Sequence, residues 1–508
     1  MEAVSGQLNI NSASALGTGT LTLRDGAQFR NSSGVAVTNI GNNAIVLNGT
    51  NQFTGGILNM GTGTVTLEGV SRLNTTTGNL ILGGNLAGTN ALNKDGIGTL
   101  TLAGSNSATS LVVVDYGILA LANTDALANA NLYLYGTTAN KKTTFAMAGN
   151  NNYNIGELSG SSTGVLDIGG NTVTLGGSGR SGTFAGQITG TGGNFAKSGV
   201  GSFTLSGSNS YTGLTSVQGG VLNISGDISA SSGTTVQIGS TLSVESGARI
   251  GSLTNSGTST INGTAGAIIN SGNATISGTA GDITSTGTTT IQSGGTAGAL
   301  AVNGGTTTVN GSAGNTSVNS DGILKGGGSV SALSIASGGT LAVGNSPGIL
   351  TASSASWSGG GAYQWEINNF LGSAGSSWDL LNITGGLSIN ATSGSKFIID
   401  IVSLLADNSA GQALNFDAFA NYSFAIATAA GGISGFSASA FDILTSGFGN
   451  SMNAVGAVSA GRWDVAQSGN SIMLNYSAAS ATAIPEPSTF GLLVVGTSLL
   501  ALRRRLRG

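Results

Sequence analysis

The sequence predicts an all-β chain: a parallel β-helix, or solenoid, followed by a small β-rich C-terminal domain and a short hydrophobic C-terminal helix. Three observations predict it. Short runs alternate apolar and polar residues with a period of two, which puts the apolar ones on one face of a strand. These runs recur as copies, and none could bury its apolar face without a neighbour stacked on it. Glycine makes up 88 of 508 residues and charged residues only 7%, against about 25% charge in an ordinary globular domain.

The chain opens on Met1-Glu2-Ala3-Val4-Ser5-Gly6, which has neither the basic nor the apolar part of a signal peptide. Alternation begins at once, with Leu8 and Ile10. The expectation is therefore a sequence that starts inside a solenoid.

Residues 1–229 form the long-repeat region. Its clearest unit is Lys197–Ile224, where Phe203 and Leu205 alternate with Ser202, Thr204 and Ser206, and Leu222 and Ile224 flank Asn223. Lys94–Leu121 aligns with it at a constant offset without a gap, and 14 of 28 positions are identical. Among the identical positions are Lys94, Gly96, Thr101, Leu102, Asn106, Leu111 and Val114. The opening phrase returns as GTGTLTL at Gly17–Leu23 and GTGTVTL at Gly61–Leu67. This phrase, followed by S-N-S-Y-T-G and a G-x-L strand, resembles the autotransporter-associated β-strand repeat. The resemblance implies a right-handed parallel β-helix displayed outside a bacterium. The unit at Lys94 departs from the pattern at Ala108, where the other has Tyr211, and at Ser110, where it has Gly213.

Residues 230–345 change period. Gly263–Gly266, Gly278–Gly281, Gly295–Gly298 and Gly311–Gly314 carry nearly the same phrase, G-T/S-A-G. Ile261, Ile276, Ile291 and Val309 precede them; Ile268, Ile283, Leu300 and Val318 follow. Successive copies lie only about 15 to about 18 residues apart, which suits the narrow coils of a solenoid, read as two strands each. Between 251 and 320 the only charge is Asp282. That fits stacking, since like charges in a column about 4.8 Å apart repel whereas Thr and Asn ladders hydrogen-bond. At roughly 18 residues per coil, residues 1–345 would give about 19 coils and a rod of about 90 Å.

A boundary is expected at Gly344-Asn345-Ser346-Pro347-Gly348. This phrase and Trp378–Gly385 resemble the segment that follows β-strand repeats in sorted surface proteins. Residues 346–478 hold all four tryptophans and eight of 15 phenylalanines. They are read as a β-rich cap or small sandwich with strands at Tyr363–Ile367, Leu380–Ile389, Phe397–Leu404, Tyr422–Ala427 and Ser471–Tyr476. A cap would cover the open solenoid end.

Residues 479–483 are a linker of small residues. Beyond it, Pro485-Glu486-Pro487 precedes an apolar run containing Phe490, Leu492, Leu493, Val494, Val495, Leu499, Leu500 and Leu502, closed by Arg503, Arg504, Arg505 and Arg507. The prolines keep the chain extended for an enzyme cleft. Thirteen residues of helix span about 20 Å, short for a bilayer of about 30 Å. Arginines after such a run hold the C-terminus in the cytoplasm. In order and content, residues 484–508 resemble the PEP-CTERM sorting signal of exopolysaccharide-producing Gram-negative bacteria. The resemblance implies exosortase as the partner that processes the tail, after transient insertion in the inner membrane.

Composition narrows the chemistry. There is no histidine and no cysteine, so Ser-His-Asp and Cys-His arrangements are excluded and the commonest metal ligand is missing. The net charge of −4 becomes −7 once 485–508 are left out, an acidic body unsuited to nucleic acid. No calcium nonapeptide, EF-hand or phosphate loop is present, so no cofactor or metal site is expected. Gly169-Gly170 and Gly385-Gly386 read as turns, and Lys141-Lys142 as a solvated loop. Asp167, Asp227 and Asp282 share no spacing. The candidate acids for polysaccharide chemistry are Asp379, Asp400, Asp442 and Asp464. Trp378-Asp379 and Trp463-Asp464 place a sugar-stacking ring beside an acid, or else a core aromatic beside a turn aspartate. The Thr-x-Thr phrases Thr258–Thr260, Thr288–Thr290 and Thr306–Thr308 suggest an ice-binding array, which the varying coil length is expected to spoil.

The function expected is that of a secreted, non-enzymatic surface or matrix protein with a structural or adhesive role among extracellular polysaccharide. A polysaccharide lyase or hydrolase is the alternative. An autotransporter passenger ranks lower, because the last region lacks the roughly 12 amphipathic strands of a translocating barrel.

Overall fold

The computed structural model describes residues 1–106, 111–135, 141–145, 151–177, 179–453 and 457–481. It divides into two compact units, Met1–Leu341 and Ala342–Gly508.

Alternating residues in the first unit form strands that pair in parallel, coil upon coil. One column runs from Gln7–Asn9 through Gln28–Asn31, Ser202–Leu205 and Thr258–Ile261 to Gly322–Gly326, in a solenoid of about 17 turns. The early coils are long, so that Gln28 pairs with Gln52 and Asn131 with Glu157. That is why the coil count falls below the expectation. Later coils are short, with Thr258 beside Asn273 and Asn273 beside Thr288.

The short coils have three strands each, not two. Thr258–Ile261, Thr264–Ala265 and Ile268–Asn270 make one coil; Asn273–Ile276, Thr279–Ala280 and Ile283–Ser285 make the next. The repeated T-A phrase is itself the second strand, and its alanines, such as Ala265 and Ala280, point inward. Alanine is too small to signal a core position by its hydrophobicity, so the count of two strands took only the apolar residues that flank the phrase.

Inward residues stack on their own kind. Leu100 lies between Leu80 and Leu119, and Ile276 between Ile261 and Ile291, all buried. Each contributes about 1.5–3 kcal/mol relative to exposure. Buried amides add a polar ladder. Asn255 Nδ2 donates to Asn270 Oδ1 at 2.8 Å and to the Asn273 carbonyl at 2.9 Å. Asn270 Nδ2 donates to the Thr288 carbonyl at 2.8 Å and to Thr289 Oγ1 at 2.9 Å. Thus each coil is tied to the next from inside, where an unmet amide would be costly. Glycine fills the corners because nothing larger fits: a β-carbon on Gly287 would overlap the Gly272 carbonyl oxygen.

Charge is tolerated where signs alternate along a column. Arg24 bridges Glu2 at 2.8 Å and Glu68 at 2.9 Å, and Arg72 bridges Asp95 at 3.0 Å and Asp115 at 3.3 Å. The pair Lys141-Lys142 is not a solvated loop. It opens the strand Lys141–Phe145, and Lys142 pairs with Asp167 at 2.6 Å.

The second unit pairs its strands mostly in parallel. Ile349–Trp357 pairs in parallel with Leu380–Ile383 and with Leu387–Ile389, Ala362–Ile367 with Phe397–Ser403, and Leu380–Ile383 with Tyr422–Ala429. The expected single strand Leu380–Ile389 is broken at Gly385-Gly386, where a β-carbon on Gly385 would lie 2.5 Å from the Ser353 carbonyl oxygen. Antiparallel pairing enters with the hairpin Arg462–Ser468/Ser471–Ser477, whose second strand joins Tyr422–Ala429. Longer steps between paired strands, as from Ile349 to Leu380, make room for an aromatic core. Trp357 stacks on Phe397 at 4.7 Å, and Phe370, Phe424, Phe448, Trp463 and Tyr476 cluster nearby in sequence-distant pairs, Phe424 lying 5.5 Å from Phe370 and Tyr476 5.1 Å from Trp463.

Candidate functional site

The sorting residues Pro485, Glu486 and Pro487, the apolar segment from Phe490 to Leu502, and Arg503, Arg504, Arg505 and Arg507 lie outside the described residues. Among the described residues no helix is long and apolar enough to cross a membrane.

Within the repeats, polar residues at two repeat positions are buried clamps. Lys94 lies near the end of a strand and is 0% exposed. Its Nζ donates to the carbonyls of Asp95 (2.8 Å) and Gly96 (2.6 Å) in its own turn and of Tyr116 (2.9 Å) in the next. Lys197 repeats this with Ser198 (2.5 Å), Gly199 (3.0 Å) and Gly219 (3.2 Å). Burial pushes the Lys94 ammonium down to about 8, with the Asp95 charge pulling it back up, and burial also lowers Lys197. Asn106 accepts from the Leu86 amide at 2.6 Å and donates to the Ala126 carbonyl at 2.5 Å, and so bridges the coils before and after it. Asn209 does the same between the Ile188 amide (2.9 Å) and the Asp227 carbonyl (3.3 Å). Tyr211, fully buried, hydrogen-bonds Thr215 at 2.7 Å. The signal that could have found the lysines was their recurrence at one repeat position in a chain with only 16 basic residues.

The four candidate acids do not converge. Asp379 is 0% exposed, and both its oxygens are occupied by backbone: Oδ1 accepts from the Gly348 amide at 2.8 Å and Oδ2 from the Glu366 amide at 3.0 Å. It braces the Asn345–Gly348 turn, where Ser346 takes a φ of +80° and donates to Glu366. Asp442 pairs with Lys396 at 2.7 Å. Asp464 accepts from Asn475 Nδ2 at 3.2 Å. Asp400 lies on the ladder between Gln364 and Leu444, and partial burial raises its pKa. The rings beside two of these acids pack on other aromatics: the half-buried Trp378 on Phe424 at 5.0 Å, and the buried Trp463 on Tyr476 at 5.1 Å. A hollow of about 300 Å³ beside Trp463 and Asp464 is walled by Ala438, Phe441 and Ile443. Asp282, the lone charge of the short coils, accepts from the Ala299 amide of the following coil at 2.8 Å.

The Thr-x-Thr phrases do come together. Thr241, Thr258, Asn273 and Thr288 pair in one file, and Ser243, Thr260, Thr275, Thr290 and Thr308 in a second beside it, with Thr306 before Thr308 on its strand. Coil length varies, but the variation does not break the second file, which continues from Thr290 to Thr308. The extra residues sit in corners, at Glu245–Ala248, Gln292–Gly295 and Asn303–Gly304.

A family model described as the passenger-associated transport repeat matches residues 92–121 and 195–224. These are the coils held by Lys94 and Lys197. The chain is also similar to the adhesin BmaC autotransporter of Brucella suis biovar 1 (strain 1330), at 33% identity over 213 residues. That alignment covers 40% of this chain and 6% of the adhesin.

Proposed function

We propose that this chain is a surface-exposed or secreted, non-enzymatic protein with a structural or adhesive role among extracellular polysaccharide. One observation carries the reading. The two matched transport repeats are successive-coil modules of a parallel solenoid, and their shared lysines and asparagines are spent on holding coil to coil. The named relative is an adhesin, and the match to it supports display on a cell surface. Asp379, the candidate acid with the deepest burial, is committed to backbone amides, which favours structure over catalysis.

In this reading the tail at 484–508 sorts the protein in an exopolysaccharide-producing Gram-negative bacterium, with exosortase acting on Pro485-Glu486-Pro487. Changing Pro485 and Pro487 to alanine is expected to leave a full-length form in the inner membrane. Normal tail removal in that variant refutes the sorting claim. The transport repeats and the autotransporter relative favour a second route, delivery as an autotransporter-type passenger. Deleting 484–508 separates the two. Surface protease accessibility that survives the deletion supports the passenger route, and its loss supports the tail.

A further inference from the structure

The hydroxyl files described above form a site with its own chemistry. On five successive coils, ten outward positions are Thr241, Ser243, Thr258, Thr260, Asn273, Thr275, Thr288, Thr290, Thr306 and Thr308. Eight of the ten are threonine. Thr258, Asn273 and Thr288 are exposed and the others half-buried. The two files stand about 6.7 Å apart along the strand and repeat about every 4.8 Å across coils. We propose that this face binds the surface of ice.

Four features of the face point to that ligand. It is regular in two directions, which a crystal can match and a flexible solute cannot. Its middle is uncharged, since between 251 and 320 the only charge is Asp282, on another side of the coil; charge enters only at its ends, where Ser243 donates to Glu245 at 2.7 Å and Lys325 pairs with Thr308. It carries no aromatic ring on which a sugar could stack. Each threonine presents a methyl beside a hydroxyl, so water can be both caged and hydrogen-bonded at fixed spacing. A single hydroxyl holds one water weakly, and the repeat of the array makes the contacts simultaneous.

The interior keeps the face flat. Beneath the array lie small buried residues, Ser259, Ala274, Thr289 and Thr307, beside Ile261, Ile276, Ile291 and Val309. From Thr258 to Thr308 the filling is small and similar, which keeps the height above it similar; under the first coil Leu242 takes the place of these small residues. Buried amides fix two of these strands at their start: Asn255 donates to the Asn273 carbonyl at 2.9 Å and Asn270 to the Thr288 carbonyl at 2.8 Å. The neighbouring face lacks this regularity, with Ile269 projecting at 60% exposure between Thr254 and Thr284.

The test is partition of the purified full chain into slowly growing ice, read as its concentration in ice against liquid. The wild type is expected to be enriched in the ice. The double variant Thr275→Lys with Thr290→Lys is expected to lose that enrichment while keeping its far-ultraviolet spectrum. The double variant Thr264→Lys with Thr279→Lys, on the second side of the coil, is expected to keep it. Exclusion of the wild type from ice overturns the proposal, as does equal loss in both variants. Binding of the wild type to insoluble cellulose or chitin, lost in the Thr275/Thr290 variant, reassigns the face to a glycan and also overturns it.

Discussion

Replacing Lys94 by methionine separates the two terms that oppose one another in the clamp. Methionine fills similar volume and leaves the Gly96 and Tyr116 carbonyls without the lysine donor, while the Asp95 carbonyl still accepts from Thr75 Oγ1 at 3.3 Å. At about 1–1.5 kcal/mol for each of these two carbonyls, the loss is about 2–3 kcal/mol. The same change removes a buried ammonium. Its drop from 10.5 to about 8 is worth about 3 kcal/mol against the charged form. Near pH 7 the two terms nearly cancel, and the variant is expected to be about as stable as the wild type. The balance shifts with pH. Between about 8 and 10.5 the unfolded chain still holds the proton that the folded chain has released. Stability from this group therefore rises with pH through that window and is lost again as pH falls to about 8. By pH 9.5 the wild type gains about 2 kcal/mol that methionine cannot gain. Coils of a solenoid open locally, so a local probe is needed. Hydrogen exchange at the Asp115 and Tyr116 amides, which both donate to the Lys94 carbonyl, serves this purpose. After correction for intrinsic exchange, the protection gap between wild type and variant should widen from pH 7 to pH 9.5. A gap that is the same at both pH values refutes the reasoning.

Gly287→Ala should destabilise the short coils by about 1–3 kcal/mol, because the added carbon meets the Gly272 carbonyl and must push coils apart; urea unfolding of the full chain measures it. Ile276→Ala removes a buried rung between Ile261 and Ile291 and should lower stability by about 2–5 kcal/mol in the same assay. Asp379→Asn should weaken the Asn345–Gly348 turn by about 1–3 kcal/mol, since an amide cannot accept from both backbone N–H groups as a carboxylate does. A reducing-sugar assay on exopolysaccharide should read background for both wild type and Asp379→Asn. Turnover in the wild type that the substitution abolishes would instead favour the lyase or hydrolase reading.

Much of the solenoid was legible in the residues. The alternation at Phe203 and Leu205 and at Leu222 and Ile224 matches their buried positions, and the repeat offset marked two matched modules. Three things were not. The T-A strands were hidden because alanine buries little surface. The clamping role of Lys94 was hidden because a charged residue beside glycines reads as a solvated turn, and only the neighbouring coil supplies the Tyr116 carbonyl that completes its cradle. The Thr-x-Thr array was underrated because unequal coil lengths suggested broken files, whereas the corners absorb the inserted residues.

What the chain alone determined is the side each residue takes. A period of two is a property of a few neighbouring residues, so inward and outward positions can be read within one strand. What only the tertiary structure decided is which residue lies above which. Stacking joins positions as close as Thr258 and Asn273 or as distant as Asn131 and Glu157 by backbone hydrogen bonds, and their register depends on how many residues each corner takes up. Corner length leaves no periodic mark, so the clamp, the three-sided coil and the threonine face emerge only when coils meet.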